Sequence, residues 1–136
     1  MEKQYLLIAE QITFRNNRLT VINIWDQFMA IHLPSQFNFD LVFICGPGWQ
    51  PGEYDLTFKV KSAVNETMDL GTIKVNIANE KLIFNALASN LNFLIEQNSG
   101  NLTFIVERNG EEIYSREYQV NYLLEVKNNA ESPLPA

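Results

Sequence analysis

Apolar and polar residues alternate along most of this chain, and alternation at period two marks a strand with one face buried. Tyr54, Leu56, Phe58 and Val60 point one way, while Asp55, Thr57, Lys59 and Lys61 point the other. Phe37, Phe39, Leu41 and Phe43 share a face opposite Asn38 and Asp40. The same rhythm predicts strands over Tyr5–Phe14, Ile73–Ile77, Leu102–Val106 and Ile113–Leu124. Leu19–Trp25 is apolar on both faces, with Leu19, Val21 and Trp25 against Ile22 and Ile24, which predicts a central strand or one covered on both sides.

Turn residues separate these runs. Arg15-Asn16-Asn17 predicts a hairpin turn, because Asn tolerates positive φ. Gly46–Gly52 holds three Gly and two Pro in seven residues, which excludes regular structure there. Asn109-Gly110 supplies the two positive-φ residues of a type I′ turn. Glu80–Glu96 reads two ways. Phe84, Leu87, Leu91 and Leu94 fit a helical stripe, whereas Leu91, Phe93 and Ile95 alternate. This predicts a short strand near Leu91–Glu96 and leaves Leu82–Ala88 open between a strand and a short helix near 82–90. About eight strands parted by turns predict an all-β fold: an antiparallel two-sheet β-sandwich of Ig-like type. One domain is expected over residues 1–126, with residues 127–136 (KNNAESPLPA) as an aperiodic, flexible tail.

Composition narrows the function classes. With 46% hydrophobic and 19% charged residues, the 136-residue chain is a packed globule rather than a disordered one. A formal net charge of −6 predicts that it binds neither nucleic acid nor an anionic membrane. One cysteine, Cys45, cannot form an internal disulfide. The apolar run Tyr5–Ala9, between Glu2 and Glu10, is too short for a leader segment, so a cytoplasmic location is expected. The glycosylation sequons at Asn65 and Asn101 are treated as chance matches on that expectation.

Candidate chemistry is sparse. His32 and Cys45 would need their side chains ~3 Å apart to form a nucleophile pair. Asp26, Asp40, Asp55 and Asp69 are solitary in sequence, although Asp26 with Glu53 or Asp69 is a conceivable calcium set. Gly46-Pro47-Gly48 cannot cradle phosphate, since Pro47 removes an amide. The expectation is therefore no catalytic residue, no metal and no cofactor. The candidate binding residues are Trp49 in the Gly/Pro loop with Gln50 and Glu53 beside it, and Tyr114 and Tyr118 on the last strand. Trp49 is either an exposed contact or a lid folded over the core. Tyr114, Tyr118 and Tyr122 share one face, which is a contact surface if outward and core if inward.

Arg18-Leu19-Thr20-Val21-Ile22-Asn23-Ile24-Trp25-Asp26, then Leu33-Pro34, Pro51-Gly52-Glu53-Tyr54 and the Gly100–Tyr114 hairpin form an ordered series. It resembles a family of small bacterial and phage β-sandwich proteins of unknown function, over residues 5 to 124. That family carries Gly ahead of its aromatic-Asp pair, in the neighbourhood where this chain has Asn23. The resemblance implies a β-sandwich and supplies no catalytic residue. The expected function is a non-catalytic protein-binding or accessory module, of phage- or defence-associated kind if the resemblance extends to role. It would act on a protein partner or by self-association. The alternatives are a self-assembling structural protein and an enzyme with a dispersed carboxylate or Cys45/His32 site.

Overall fold

A computed structural model describes residues 3–122, apart from positions 17, 65 and 99. The predicted tail and the last two residues of the predicted final strand lie outside the described residues. Nine strands and, among the described residues, no helix make up the fold. They are β1 (Gln4–Arg15), β2 (Arg18–Trp25), β3 (Gln27–Ala30), β4 (Ser35–Cys45), β5 (Gly52–Ser62), β6 (Thr67–Ile77), β7 (Phe84–Ile95), β8 (Leu102–Arg108) and β9 (Glu111–Tyr122). Two sheets result, one ordered β2-β1-β4-β7 and the other β3-β9-β8-β5-β6.

The clearest alternations become the strands they predict. Leu56, Phe58 and Val60 of β5 are buried, as are Phe37, Phe39, Leu41, Phe43 and Cys45 of β4. One buried cluster takes side chains from both sheets, including Leu6, Ile8, Phe28, Phe39, Phe43, Phe58, Phe93, Phe104 and Tyr118. Burying such side chains removes roughly 1.5–3 kcal/mol each from the exposed reference, which makes this cluster the main source of stability.

One open reading is resolved and two expectations are corrected. Of the two readings left open for Leu82–Ala88, the strand holds from Phe84, where β7 begins, and no helix forms near 82–90. Ala86 and Ala88 face the core, Asn90 takes φ 58°, and Leu91, Phe93 and Ile95 then face the core. The inward spacing thus jumps from two to three at Asn90, and the apparent helical stripe mixes two faces: Phe84 and Leu91 lie toward the core, Leu87 beside the smaller cluster, and Leu94 is exposed. The pairing is also not wholly antiparallel, because β3 runs parallel to β9, from Gln27 opposite Gln119 to Ala30 opposite Tyr122. Finally, β2 is an edge strand rather than a central one.

A line of irregularities crosses the four-stranded sheet. The β1–β4 ladder stops at Ala9 opposite Asp40, and the β4–β7 register slips between Phe39 and Leu41. The Asp40 carboxylate takes over from the missing ladder bonds. It accepts the amide N–H of Ile12 and that of Asn90, both at 2.8 Å. Hydrogen bonds to an ionised acceptor are about twice as strong as neutral ones, so one side chain holds three strands at their slip point. On β2, Asn23 takes φ 56° at the same level, and its amide donates to the Glu10 carboxylate. Asn enters this left-handed region more readily than other non-glycine residues, the conformation a Gly would also supply there.

Beyond this line, β1 and β2 continue as a two-stranded hairpin across the outside of the sheet. Ile12 packs there with Ala9 and Val42 in a second, smaller buried cluster, flanked by Leu7, Leu19, Val21, Ile44 and Leu87.

Candidate functional site

The Gly/Pro loop between β4 and β5 is tied to the segment ahead of β7. Gly46 N–H donates to the Lys3 carbonyl at 3.1 Å, and Gly48 N–H to the Glu80 carbonyl at 2.8 Å. Gly46 has φ 111°, and a Cβ there would lie 2.4 Å from the Leu82 carbonyl oxygen, so only glycine fits. This anchoring turns Trp49 inward, where it is 1% exposed. Its ring meets Tyr54 at 5.1 Å and Phe84 at 5.0 Å, both edge-on, and the Arg108 guanidinium covers it 4.6 Å from the ring centroid. The indole N–H finds no acceptor among the described residues. Trp49 is thus the lid, and as a surface contact it is corrected. Gln50 is exposed and donates to the Glu80 carboxylate at 3.2 Å, while its carbonyl accepts the Tyr54 hydroxyl at 2.7 Å. Glu53 is exposed at the start of β5, opposite Asn76.

The tyrosine face of β9 turns inward. Tyr118 is 1% exposed and lies edge-on to Phe28 and Phe104. Tyr114 is half-buried 5.5 Å from Phe43, and the Tyr122 hydroxyl donates to the Gly100 carbonyl at 3.2 Å. The predicted contact residues Tyr114 and Tyr118 therefore belong to the packing between sheets. Arg116 reaches across, donating to the Leu6 carbonyl at 2.9 Å while its guanidinium lies 4.6 Å from the Tyr118 ring centroid.

Burial pushes the Tyr118 phenol up to about 12 from its ordinary 10, against the pull of the neighbouring Arg116 cation. Below pH 10 the phenol is protonated in both folded and unfolded chains. Above it the unfolded chain loses this proton first, so stability falls as pH rises from about 10 through about 12. Absorbance titration at 295 nm should show a late phenol step above the ordinary tyrosine value. Tyr118→Phe should remove both the late step and this part of the alkaline loss of stability. A variant that titrates like the wild type would remove Tyr118 as the cause.

The Cys–His pairing does not form. Ser35, at the start of β4, donates through its hydroxyl to the His32 carbonyl, and His32 is exposed. Cys45 is buried at the other end of the same extended strand. Ten residues at the strand rise separate Ser35 from Cys45 by roughly 30 Å. Among the described residues, no three His, Cys, Asp or Glu side chains gather as a metal-binding group. No helix among them is long and apolar enough to cross a membrane.

Another surface was missed in the sequence. Around the β1–β2 hairpin, Ile24 is 61% exposed, Phe14 56% and Ile22 44%; Phe14 shares the sheet-facing side with Leu19, and Ile22 stands opposite Gln11 on the other side. Phe14 and Leu19 line a depression of about 330 Å³ with Ile83, Phe84, Asn85 and Leu87. Ile83, 65% exposed, extends the apolar rim. At the hairpin tip Arg15 stands directly opposite Arg18. Among the described residues neither arginine makes an ion pair. Like charges directly opposite across a hairpin are destabilising. The two-faced apolar pattern of Leu19–Trp25 is the available sequence signal, and it fits an exposed edge strand as well as a central or covered one.

No protein-family model and no curated protein matches the chain. Three solved chains match. Among them is the Pseudomonas fluorescens alkylpurine DNA glycosylase AlkC bound to DNA containing an abasic site analog, at 10% identity and a TM-score of 0.41. The match covers 85% of this chain and 30% of the glycosylase chain, so this chain spans under a third of that protein's length. This finding corrects the exclusion of nucleic acid: the matching chain is held on DNA, and a whole-chain net charge does not describe the field at any one surface. A likeness of this degree carries no argument for DNA binding or glycosylase activity by this chain.

Proposed function

We propose that this chain is a non-catalytic protein-binding module, a single Ig-like β-sandwich domain over residues 1–126, and that its contact surface is the β2 edge of the β1–β2 hairpin. The sandwich reading is supported by the shared cluster, in which side chains from the two sheets interdigitate. The contact reading rests on one observation: Ile22 and Ile24 are large, apolar and exposed on the edge strand β2, with Phe14 and Ile83 exposed at the depression beside the hairpin. Exposed apolar side chains with a polar rim mark contact sites in folded proteins. Arg15, Arg18 and Glu10 supply such a rim.

A photo-crosslinking residue placed at Ile24 tests this. In extract of the native host it should give discrete protein adducts that excess unlabelled chain competes away. The same residue at Lys61, exposed on β5, should not give those adducts. Equal labelling from both positions, or no competed adduct from Ile24, would overturn the proposal.

A further inference from the structure

We infer that the partner at this surface is a second copy of the chain, joined edge to edge by antiparallel pairing of β2 with β2. This deepens the protein-binding reading and rests on it.

The four sheet edges differ in how they are protected. β3 is four residues long, β6 lies against β7 where the sheets meet, and β6 carries Asp69 and Lys74 and is interrupted by Gly71 at φ 145°. Short strands, covering elements and charges are the usual means of blunting an edge. β2 has eight residues, is rich in β-branched and apolar side chains, and carries one charge, Arg18, at its first position; its one positive-φ residue, Asn23, lies beyond the Leu19–Val21 stretch.

Backbone direction follows from β1. The Ile12 N–H turns to Asp40, on the β4 side, and so away from β2. Ile12 stands opposite Val21, which makes this a non-hydrogen-bonded pair, with the Val21 N–H and C=O directed to the open edge. By strand alternation Leu19 does the same. Two copies related by a two-fold axis near Thr20–Val21 can therefore bond their open edges reciprocally, as an isologous interface requires.

Charge selects the antiparallel sense. Arg15 and Arg18 lie at one end of the edge, and Glu10, held beside Asn23, at the other. Within one chain Arg18 and Asn23 are five strand residues apart, roughly 17 Å, too far for the guanidinium to meet Glu10. Antiparallel pairing sets Arg18 of each copy alongside Ile22–Ile24 of the other, one strand over from its Glu10. Parallel pairing would set arginine on arginine.

Charge reversal combined with sedimentation equilibrium tests the inference on purified chain. Wild type should show a concentration-dependent dimer. Glu10→Arg and Arg18→Glu should each weaken it about tenfold or more, since both symmetric contacts turn repulsive. Arg18→Glu also replaces a like-charge cross-strand pair with an attractive one, so its effect cannot come from a weakened hairpin. An equimolar mixture of the two single variants should dimerise, because both contacts of the mixed pair are attractive, and so should E10R/R18E. Exposed T20K/I22K, with circular dichroism unchanged, should be monomeric.

A wild type that stays monomeric, single variants that dimerise as well as wild type, or a mixture that fails to recover would each overturn the inference. A monomeric wild type whose Ile24 adducts in extract persist with other proteins would sink self-pairing and leave the protein-binding reading standing. Loss of both would sink both.

Discussion

Trp49→Ala should lower the free energy of unfolding by about 3–5 kcal/mol, the range for removing a buried Trp or Phe ring. The loss is read from urea denaturation with an unchanged m-value. The indole fills the gap between β5 and β7, against Tyr54 and Phe84, with the Arg108 guanidinium above it. Truncation leaves a void and also takes from Arg108 the ring face it covers, worth about 0.5–1 kcal/mol or more where water is excluded. Trp49→Phe should recover much of the loss, because the N–H it removes has no acceptor among the described residues. A loss under about 1 kcal/mol for the alanine variant, the ordinary size for a surface position, would return Trp49 to the surface and restore it as a contact residue.

Phe28→Ala should cost as much, about 3–5 kcal/mol, and by a different route. Phe28 is 1% exposed. Its ring stacks on Phe104 at 5.7 Å and 12°, and stands edge-on to Trp25 at 5.4 Å and Phe37 at 5.2 Å. It is one of two buried apolar residues, with Ala30, on the four-residue strand β3. Removing the ring takes away most of what holds β3 to β9. Hydrogen exchange should therefore accelerate across Gln27–Ala30 well before the rest of the fold opens. Protection there equal to wild type would show that backbone pairing alone secures β3.

These two residues mark where the sequence was legible and where it was not. β5 and β8 were plain, because each buries one face and leaves the other partly open, and period two follows directly; β4 shows the same rhythm over Ser35–Phe39, while beyond Asp40 both its faces are covered. Trp49 was legible as one of two alternatives, since a large aromatic among Gly and Pro either covers the core or faces a partner. β3 was invisible: four residues, Gln27–Ala30, are too few to set a period, and their place is decided by β9. β7 was ambiguous because it carries apolar residues on both faces, Leu87 and Leu94 outward and Phe84 and Leu91 inward, and together these fall at helical spacing. β2 was misplaced because composition reports how apolar a strand is, not whether a neighbour lies beside it. The tyrosines of β9 could not be oriented because their spacing fixes a common face but not its direction.

The parallel pairing of β3 with β9 bears on how the chain reaches its fold. Gln27 and Asn121 join side chains across 94 positions of sequence. At ~5–20 residues per second of synthesis, that interval is about 5–20 s during which Phe28 has been made and β9 has not. The first sheet can assemble from β1, β2, β4 and β7 in this time, but the aromatic centre of the core stays open until the last strand arrives. Contacts this distant in sequence slow folding. A nascent chain would meanwhile present β2 and the uncovered Phe28 together. The order of synthesis therefore makes the long-range closure at β9 the step at which a chaperone, or a premature encounter between two unfinished chains, has its greatest effect.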